Sequence, residues 1–557
     1  MNRTVNLTHY LYTFLSQNAK SIFNIPSFER FEIDISENIS CLIDFHPSQN
    51  ACVYFLRIKT INDFIDLDLK GFGTICKISY NNRFGLLLNS QKDRKKYFIW
   101  LPQILSQINL DNFQRISLSK KNNLSYNWTG FPDNQIRIIN FMNREGIIVL
   151  PYVVIEDSGQ NLYEEFQITN CCESRLYLKS NWFYASGPTD IWKYLINGAI
   201  YDPRADIRIK KQFKCQQCAY AWWNLLGFLF RKTQKKIYDF LQNEISYTVL
   251  ADMSSNGEWG HGYWSDDLET HSRFHLDGIH LFLSQYEKTN DGIWLDAGEK
   301  AMGFVAKFLV DVIDDKNIWF LHDTLELKKR PVITSVLFGK SIGNSLCINT
   351  HLQALSVLHR LCNLASDKEK YECKFTKGIQ ALRRVFNYQP GEFFYRVFIE
   401  WLIKYNILKN SSGILGQAKN AVMHRLIKSI YWPIVDFFPR IVHPCGFIER
   451  DLTLSMASDR YHVINVKDLL TLYNQKPFEW LKSYIQKGTD VLREYLKNDS
   501  LPIAIQRSPY FIEIIDALYL YNKCIERISA DELNKVEDTI FEQTGGYSLD
   551  YCILKES

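Results

Sequence analysis

The stretch from Asn256 to His280 reads NGEWGHGYWSDDLETHSRFHLDGIH, and it crowds ionisable groups among aromatic rings and glycines more densely than any other part of the chain. Glu258, His261, Asp266, Asp267, Glu269, His271, Arg273, His275, Asp277 and His280 lie there, interleaved with Trp259, Tyr263 and Trp264. Imidazoles and phenols move protons, carboxylates act as general acids or bases, and aromatic faces stack on flat ligands or sugar rings. Gly257, Gly260 and Gly262 allow tight turns or a close approach to a ligand. The bland alternative is a solvated loop ahead of a helix, but such loops rarely hold so many histidines and large aromatics. A helix starting between Asp266 and Thr270 puts His271 and His275 on one face, with Arg273 turned elsewhere. That pair could ligate zinc by spacing alone, yet residues 271 to 275 read HSRFH and lack the HExxH arrangement.

Two later segments carry similar groups. His322 and Glu326 sit in LHDTLE, and Asn349 and His351 open the helix that follows GNS. Six of the twelve histidines fall between His261 and His351. Further on, Arg460, Tyr461 and His462 precede the short helix VKDLLTLY and offer a cation, a phenol and an imidazole side by side. A phenol can give or take a proton, an imidazole is tunable near neutral pH, and a guanidinium can hold a carboxylate. The candidate catalytic residues are His261, Tyr263, His271, Arg273, Tyr461 and His462. Substrate binding falls to Glu258, Trp259, Trp264, Asp267, Glu269, His275, His322, Glu326, Asn349, His351 and Arg460. The carboxyl groups of Glu258, Asp266, Asp267, Glu269 and Glu326 are further candidates for acid and base work. No metal ligand set is assigned and the cofactor is unknown. Cys215-Gln216-Gln217-Cys218 has CxxC spacing, but no second CxxC follows and an apolar helix begins at once, so a zinc ribbon is not expected. Cys171-Cys172 reads as a strand pair pointing to opposite faces. GxSxG, GxGxxG and P-loop sequences are absent.

The elements that must position these groups fall into two halves. From Phe31 to Ser186, segments such as FEIDIS, ACVYFLRIKT, GTICKISY, RFGLLLN, QIRIINF and GIIVLPYVVIED alternate or cluster β-branched and aromatic residues between turns. They predict antiparallel strands in a sandwich or stacked sheets, with a short helix over 7–17 packed on them. Past Ser186-Gly187-Pro188 the period becomes helical, in AYAWWNLLGFLF, KKIYDFLQNEI, GIHLFLSQYEK, IWLDAGEKAMGFVAKFLVDVI, CINTHLQALSVLHRLCNLA, KFTKGIQALRRVF, EFFYRVFIEWLIKYN, GQAKNAVMHRLIKSIY, PFEWLKSYIQKGTDVLREYLK, SPYFIEIIDALYLYNKCIER and ADELNKVEDTIFEQ. The fold class expected is α+β multidomain: an N-terminal antiparallel β-rich domain over 1–190, then an (α/α)6-type helical toroid over 191–557. Helix pairs bury apolar stripes on both sides if the row closes, and the end loops then meet around a central funnel. The alternative, a solenoid, lacks a fixed-period repeat.

At 557 residues the chain exceeds what one core fills. A net charge of +4 with no long basic run argues against nucleic acid. No stretch is apolar enough to span a membrane, the N-terminus does not read as a signal peptide, and the 13 irregularly spaced cysteines suit reduced thiols. A cytoplasmic protein is expected, of undetermined oligomeric state.

A β-rich domain ahead of such a toroid resembles the glucuronyl C5-epimerases, the heparinase-type polysaccharide lyases and some glycoside hydrolases. The run from Asn256 to Phe308, with NGEWGH, a histidine-bearing helix and TNDGIWLDAGEKAMGFV, is similar to the repeating loop and helix style of these toroids. The helix start at Asn349-Thr350-His351 and the pair Tyr461-His462 resemble the epimerase C-terminal domain, whose tyrosine-rich motif has no clear counterpart here. The resemblance covers about the last 350 residues. Trp259-Gly260-His261-Gly262 is also similar to the zinc motif of lanthionine cyclases, without its cysteine. The resemblance implies an enzyme acting on an acidic or complex glycan, by epimerisation or elimination at a uronate. The alternatives are a glycoside hydrolase and a non-catalytic glycan-binding protein.

Overall fold

The computed structural model describes residues 4–6, 19–59, 64–68, 72–80, 83–90, 96–101, 104–110, 116–123, 125–129, 135–139, 147–157, 175–180, 183–204, 211–262, 268–327, 346–387, 421, 422, 425, 429, 441–442, 448–449, 457–497 and 510–556. Two compact units divide the chain. One comprises Met1–Glu173 with Ala185–Met253, and the other Ser174–Tyr184 with Ser254–Ser557.

The first unit is built on a ten-stranded antiparallel sheet. Eight strands follow in the spatial order 20–25, 28–36, 39–46, 51–58, 147–157, 96–101, 83–90 and 72–80, and strands 104–110 and 116–123 join through 147–157. The longer strand segments quoted from the sequence lie in this sheet or in the smaller one formed by 4–6, 64–68, 135–139 and 125–129, while Cys171-Cys172 lies outside the described residues. One pairing departs from the antiparallel expectation, since 4–6 runs parallel to 64–68. Cross-strand stacking fixes register at the centre. Tyr54 and Tyr152 are directly opposed and stack at 4.5 Å. Among the described residues the unit also holds two α-helices, α1 (Gln216–Thr233) and α2 (Lys236–Ala251). The helix expected over 7–17 lies outside the described residues.

The second unit is helical. Its helices among the described residues include α3 (Ser272–Thr289), α4 (Gly292–Phe308), α5 (Ile348–Leu364), α6 (Lys368–Asn387), α7 (Ala457–Gln475), α8 (Glu479–Lys497), α9 (Glu513–Cys524), α10 (Ala530–Thr544) and α11 (Leu549–Glu556). Local sequence sets several ends. Asn290 closes α3 in the left-handed region and Asp291 then caps α4 through the Ile293 N–H at 3.2 Å, so the chain reverses in two residues. The predicted long helix ends early. Val310–Asp314 leaves it as a strand paired with Asn317–Phe320, because β-branched residues meet a turn at Asp314. The segments EFFYRVFIEWLIKYN and GQAKNAVMHRLIKSIY lie outside the described residues, save for isolated positions of the latter.

Each odd-numbered helix from α3 to α9 packs on the even-numbered helix after it, and α3, α5, α7, α9 and α11 touch in succession. Four of the odd helices run the same way. Gln353 on α5 meets Asp277 on α3 near their starts, and Arg360 meets Ser284 and Glu287 near their ends. Lys476, just past α7, lies over Phe375, on which His359 of α5 packs. Tyr461 and Tyr510 meet at the starts of α7 and α9, while Cys524 and Asn474 meet at their ends. The N-termini of α3, α5, α7 and α9 therefore share one end of the unit, where their dipoles place partial positive charge. Strand 175–180 pairs in parallel with 546–548 and packs on α11.

Candidate functional site

The glycine-rich run braces the start of α3. Gly257 takes φ +87°, and a Cβ there would lie 2.5 Å from the Lys300 carbonyl. Glu258 accepts the Thr270 hydroxyl at 2.6 Å, and buried Trp259 packs edge-on against His275 at 4.8 Å. The His261 N–H donates to the Glu269 carbonyl at 2.8 Å, and its Nδ1 accepts the His271 N–H at 2.9 Å. Tyr263, Trp264, Asp266 and Asp267 lie outside the described residues.

Helix α3 begins at Ser272, later than expected, and His271 is its cap in an extended conformation. The anticipated shared face of His271 and His275 is therefore absent. The His271 ring stacks on Phe274 at 4.1 Å and meets the His322 ring edge-on at 4.5 Å, while His275 turns inward and bonds the Ala301 carbonyl at 3.1 Å. His322 in turn bonds the Thr350 hydroxyl at 2.8 Å, and its N–H donates to Glu326 at 2.7 Å. Asn349 accepts from Cys347 at 2.8 Å and from Thr350 at 3.3 Å. Residues far apart in sequence thus converge: His261, Glu269, His271, His322, Glu326 and Asn349 form one buried cluster at the N-terminal ends of α3 and α5.

Other predicted histidines are built into the scaffold. His351 stacks flat on Trp319 at 3.8 Å and spans two backbone groups, the Phe320 N–H and the Gly378 carbonyl. His462 bonds the Gly488 carbonyl at 2.9 Å. Burial pushes His275 down to about 4 and His351 to about 3, and His261 falls well below its ordinary value through burial and the neighbouring His275. Tyr461 and His462 lie inside α7, which begins at Ala457, rather than ahead of a short helix. Arg460 occupies the same first turn.

Deeper between the helices runs a second polar network that contains residues absent from the predicted site. Arg273 reaches from α3 to Asp468 on α7 at 2.6 Å, and Asp468 together with Asp277 holds its charge high despite burial. Lys179 lies 3.4 Å from Asp277, whose same oxygen accepts the Gln353 amide at 2.7 Å. Lys467 sits among three carboxylates, 3.0 Å from Glu513, 2.8 Å from Asp516 and 2.7 Å from Asp550. Burial pushes Glu513 up to about 7 and Asp516 to about 6, against the pull of Lys467, whereas Lys467 outweighs burial at Asp550 and lowers it. Three buried acceptors here have no hydrogen-bond partner among the described residues: Asp277 Oδ2, Gln353 Oε1 and Glu513 Oε1. A ligand rich in hydroxyl donors would complete them. The sequence signal for these residues was present but faint, namely single charges such as Glu513, Asp516 and Lys467 set inside apolar helices.

No family model matches the chain, and no curated protein matches it. Among solved structures, a family 105 glycoside hydrolase from C. acetobutylicum aligns at 12% identity and a TM-score of 0.29, over 49% of this chain and 61% of that one. The alignment thus spans less than two thirds of that hydrolase. A family 76 glycoside hydrolase from a bovine Bacteroides thetaiotaomicron strain aligns at 7% identity and 0.34, over 89% and 88%. A polysaccharide lyase aligns at 9% identity and 0.27, over 94% and 82%. Likenesses of this size assign no activity.

Proposed function

We propose that the chain is a carbohydrate-active enzyme that takes an acidic glycan at the shared N-terminal end of α3, α5, α7 and α9, and abstracts the proton beside a uronate carboxylate. The observation that carries this reading is Arg273. It is a buried guanidinium aimed by Asp468, with a single hydrogen bond among the described residues out of five N–H donors, and it feels the charge of Tyr510, whose ring lies 6.3 Å from that of Tyr461. In this role Arg273 holds the substrate carboxylate and stabilises the enediolate, while Tyr461 exchanges the proton. Parallel helix N-termini favour the same negative charge. The unpartnered acceptors of Asp277 and Gln353 receive sugar hydroxyls. The helical row closes in this reading as the toroid expected from the sequence, with the sheet unit as the N-terminal domain. His271 and His322 position the start of α3 and α5 or touch the sugar, and a cytoplasmic role in tailoring a glycan fits the chain.

The test is kinetic. With a turned-over uronate glycan in hand, Arg273→Gln should lower kcat by about 10²- to 10³-fold, as loss of one preorganised oxyanion contact does. Tyr461→Phe should cost a comparable factor while binding persists. Unchanged turnover in both variants would refute this assignment.

A second reading has its own observation. Glu513, at about 7, and Asp550, held low, share Lys467, and two carboxyls tuned apart are what glycoside cleavage uses. It predicts a rate that falls as pH rises through about 7, and no turnover at all in Glu513→Gln.

A further inference from the structure

A separate cluster lies in the sheet unit, whereas the residues of the proposed site belong to the helical unit. The Asp202 carboxylate and the Cys215 and Cys218 thiols are buried, and their ligand atoms all lie within 4.8 Å of one another. Zinc bonds of about 2.3 Å to sulfur and about 2.0 to 2.2 Å to oxygen bring ligand atoms to a slightly tighter spacing. The backbone fixes all three. Tyr201 bridges Lys214, the Asp202 N–H donates to the Phe213 carbonyl at 3.0 Å, and the Cys215 N–H donates to the Ile200 carbonyl at 2.9 Å. Asp202 and Cys215 thus sit on two strands of one short ladder. Cys215 then caps α1 and Cys218 follows in its first turn, where unsatisfied N–H groups favour thiolate. The CxxC spacing looked incomplete in sequence because its third ligand is not a cysteine and comes from upstream.

We infer that Asp202, Cys215 and Cys218 form a structural zinc site, with water in the fourth position. Binding exchanges one Zn²⁺ for the two thiol protons, which leave to solvent, and no electron transfer is involved. Charge decides in favour of a divalent cation. Arg204 holds the Asp202 carboxylate through its Nε at 2.8 Å and its Nη2, so two thiolates and a carboxylate are balanced by one guanidinium and one Zn²⁺. The buried site is then neutral, as burial requires. The function of the site is to pin the start of α1 to the 199–202 segment.

Metal content of the full-length protein, purified under reducing conditions without chelator, tests this. One zinc per chain should survive dialysis, Co²⁺ in its place should give a sulfur-to-cobalt charge-transfer band, and Cys215→Ser/Cys218→Ser should lose both. Should that variant fail to fold, titration of the wild-type protein supplies the answer. Zinc added to the stripped protein should remove two thiols from reaction with a thiol reagent and raise Tm. Failure to take up zinc, a disulfide joining Cys215 to Cys218 in the fresh protein, or zinc retained by the double variant would overturn the site.

Discussion

The two units each bury a charged network, and the networks differ in whether they are complete. In the sheet unit Arg30 makes paired bonds to Asp44 at 2.5 and 2.6 Å, Thr248 links Arg30 to Glu244, and His46 meets Glu244 at 2.7 Å. None of these side chains has a buried atom lacking a partner. In the helical unit the Arg273, Asp277, Gln353, Lys467 and Glu513 network leaves three acceptors unmatched and approaches solvent through Lys179, Asp468 and Asp550, whose side chains are 21%, 17% and 38% exposed. A closed network serves the fold, because every desolvated charge is answered inside it. An open one keeps unmet hydrogen-bonding capacity where a ligand can use it. The difference separates scaffold from candidate site more sharply than residue type does, since both networks contain the same arginines, carboxylates and lysines or histidines.

Substitutions can break that contrast. The largest effect on activity should come from Arg273→Gln, a loss of about 10²- to 10³-fold in kcat with Tm nearly kept, because Asp468 regains water. The counterpart in the closed network, Asp44→Ala, should cost about 3 to 5 kcal/mol in urea unfolding, because it strands the Arg30 guanidinium in the core. Equal stability losses in the two variants would erase the distinction. His351→Leu should cost about 1 to 3 kcal/mol by orphaning the Phe320 N–H and Gly378 carbonyl it joins, with catalysis of the remaining folded protein intact.

A pH series sharpens the comparison further. Glu513 is raised in the folded protein from its ordinary 4.5 to about 7. Its stabilising contribution is therefore full below 4.5 and is lost as pH rises through about 7. Glu513→Gln, which cannot ionise, should gain stability relative to the wild type between pH 5 and pH 8, and a constant difference would show the carboxyl to be ordinary. The smallest effect belongs to Glu287→Ala, which removes a half-exposed partner of Arg360 and should change stability by less than about 1 kcal/mol.

The sequence revealed the parts that follow local rules. Strand alternation located the sheet, and helical period located the hairpins, since each depends on residues within a few positions. The strand at 310–314 was hidden by an apolar run shared with α4, and the start of α3 was displaced because His271 is held extended by His261 and by its bridge to Asp323. Candidate residues were legible where they crowd together, as His261, His271 and Glu269 do. They were illegible where the candidate network is assembled across elements, because Lys179, Asp468, Glu513 and Asp550 each look like a stray charge until strand 175–180, α7, α9 and α11 come together. The third ligand of the proposed zinc site escaped for the same reason, as did the scaffold roles of His275 and His351, which backbone carbonyls define.

Proton abstraction is the central proposed step, and hydrogen exchange reads it directly. The wild-type protein should be incubated in heavy water with a panel of uronate-containing polysaccharides, following C5 deuterium by NMR and the absorbance of unsaturated ends. Deuterium at C5, or new unsaturated ends, lost in Arg273→Gln and Tyr461→Phe, is the predicted result. Silence on both across the panel, with reducing ends released from a neutral glycan, would contradict it and move the chemistry to the carboxyls around Lys467.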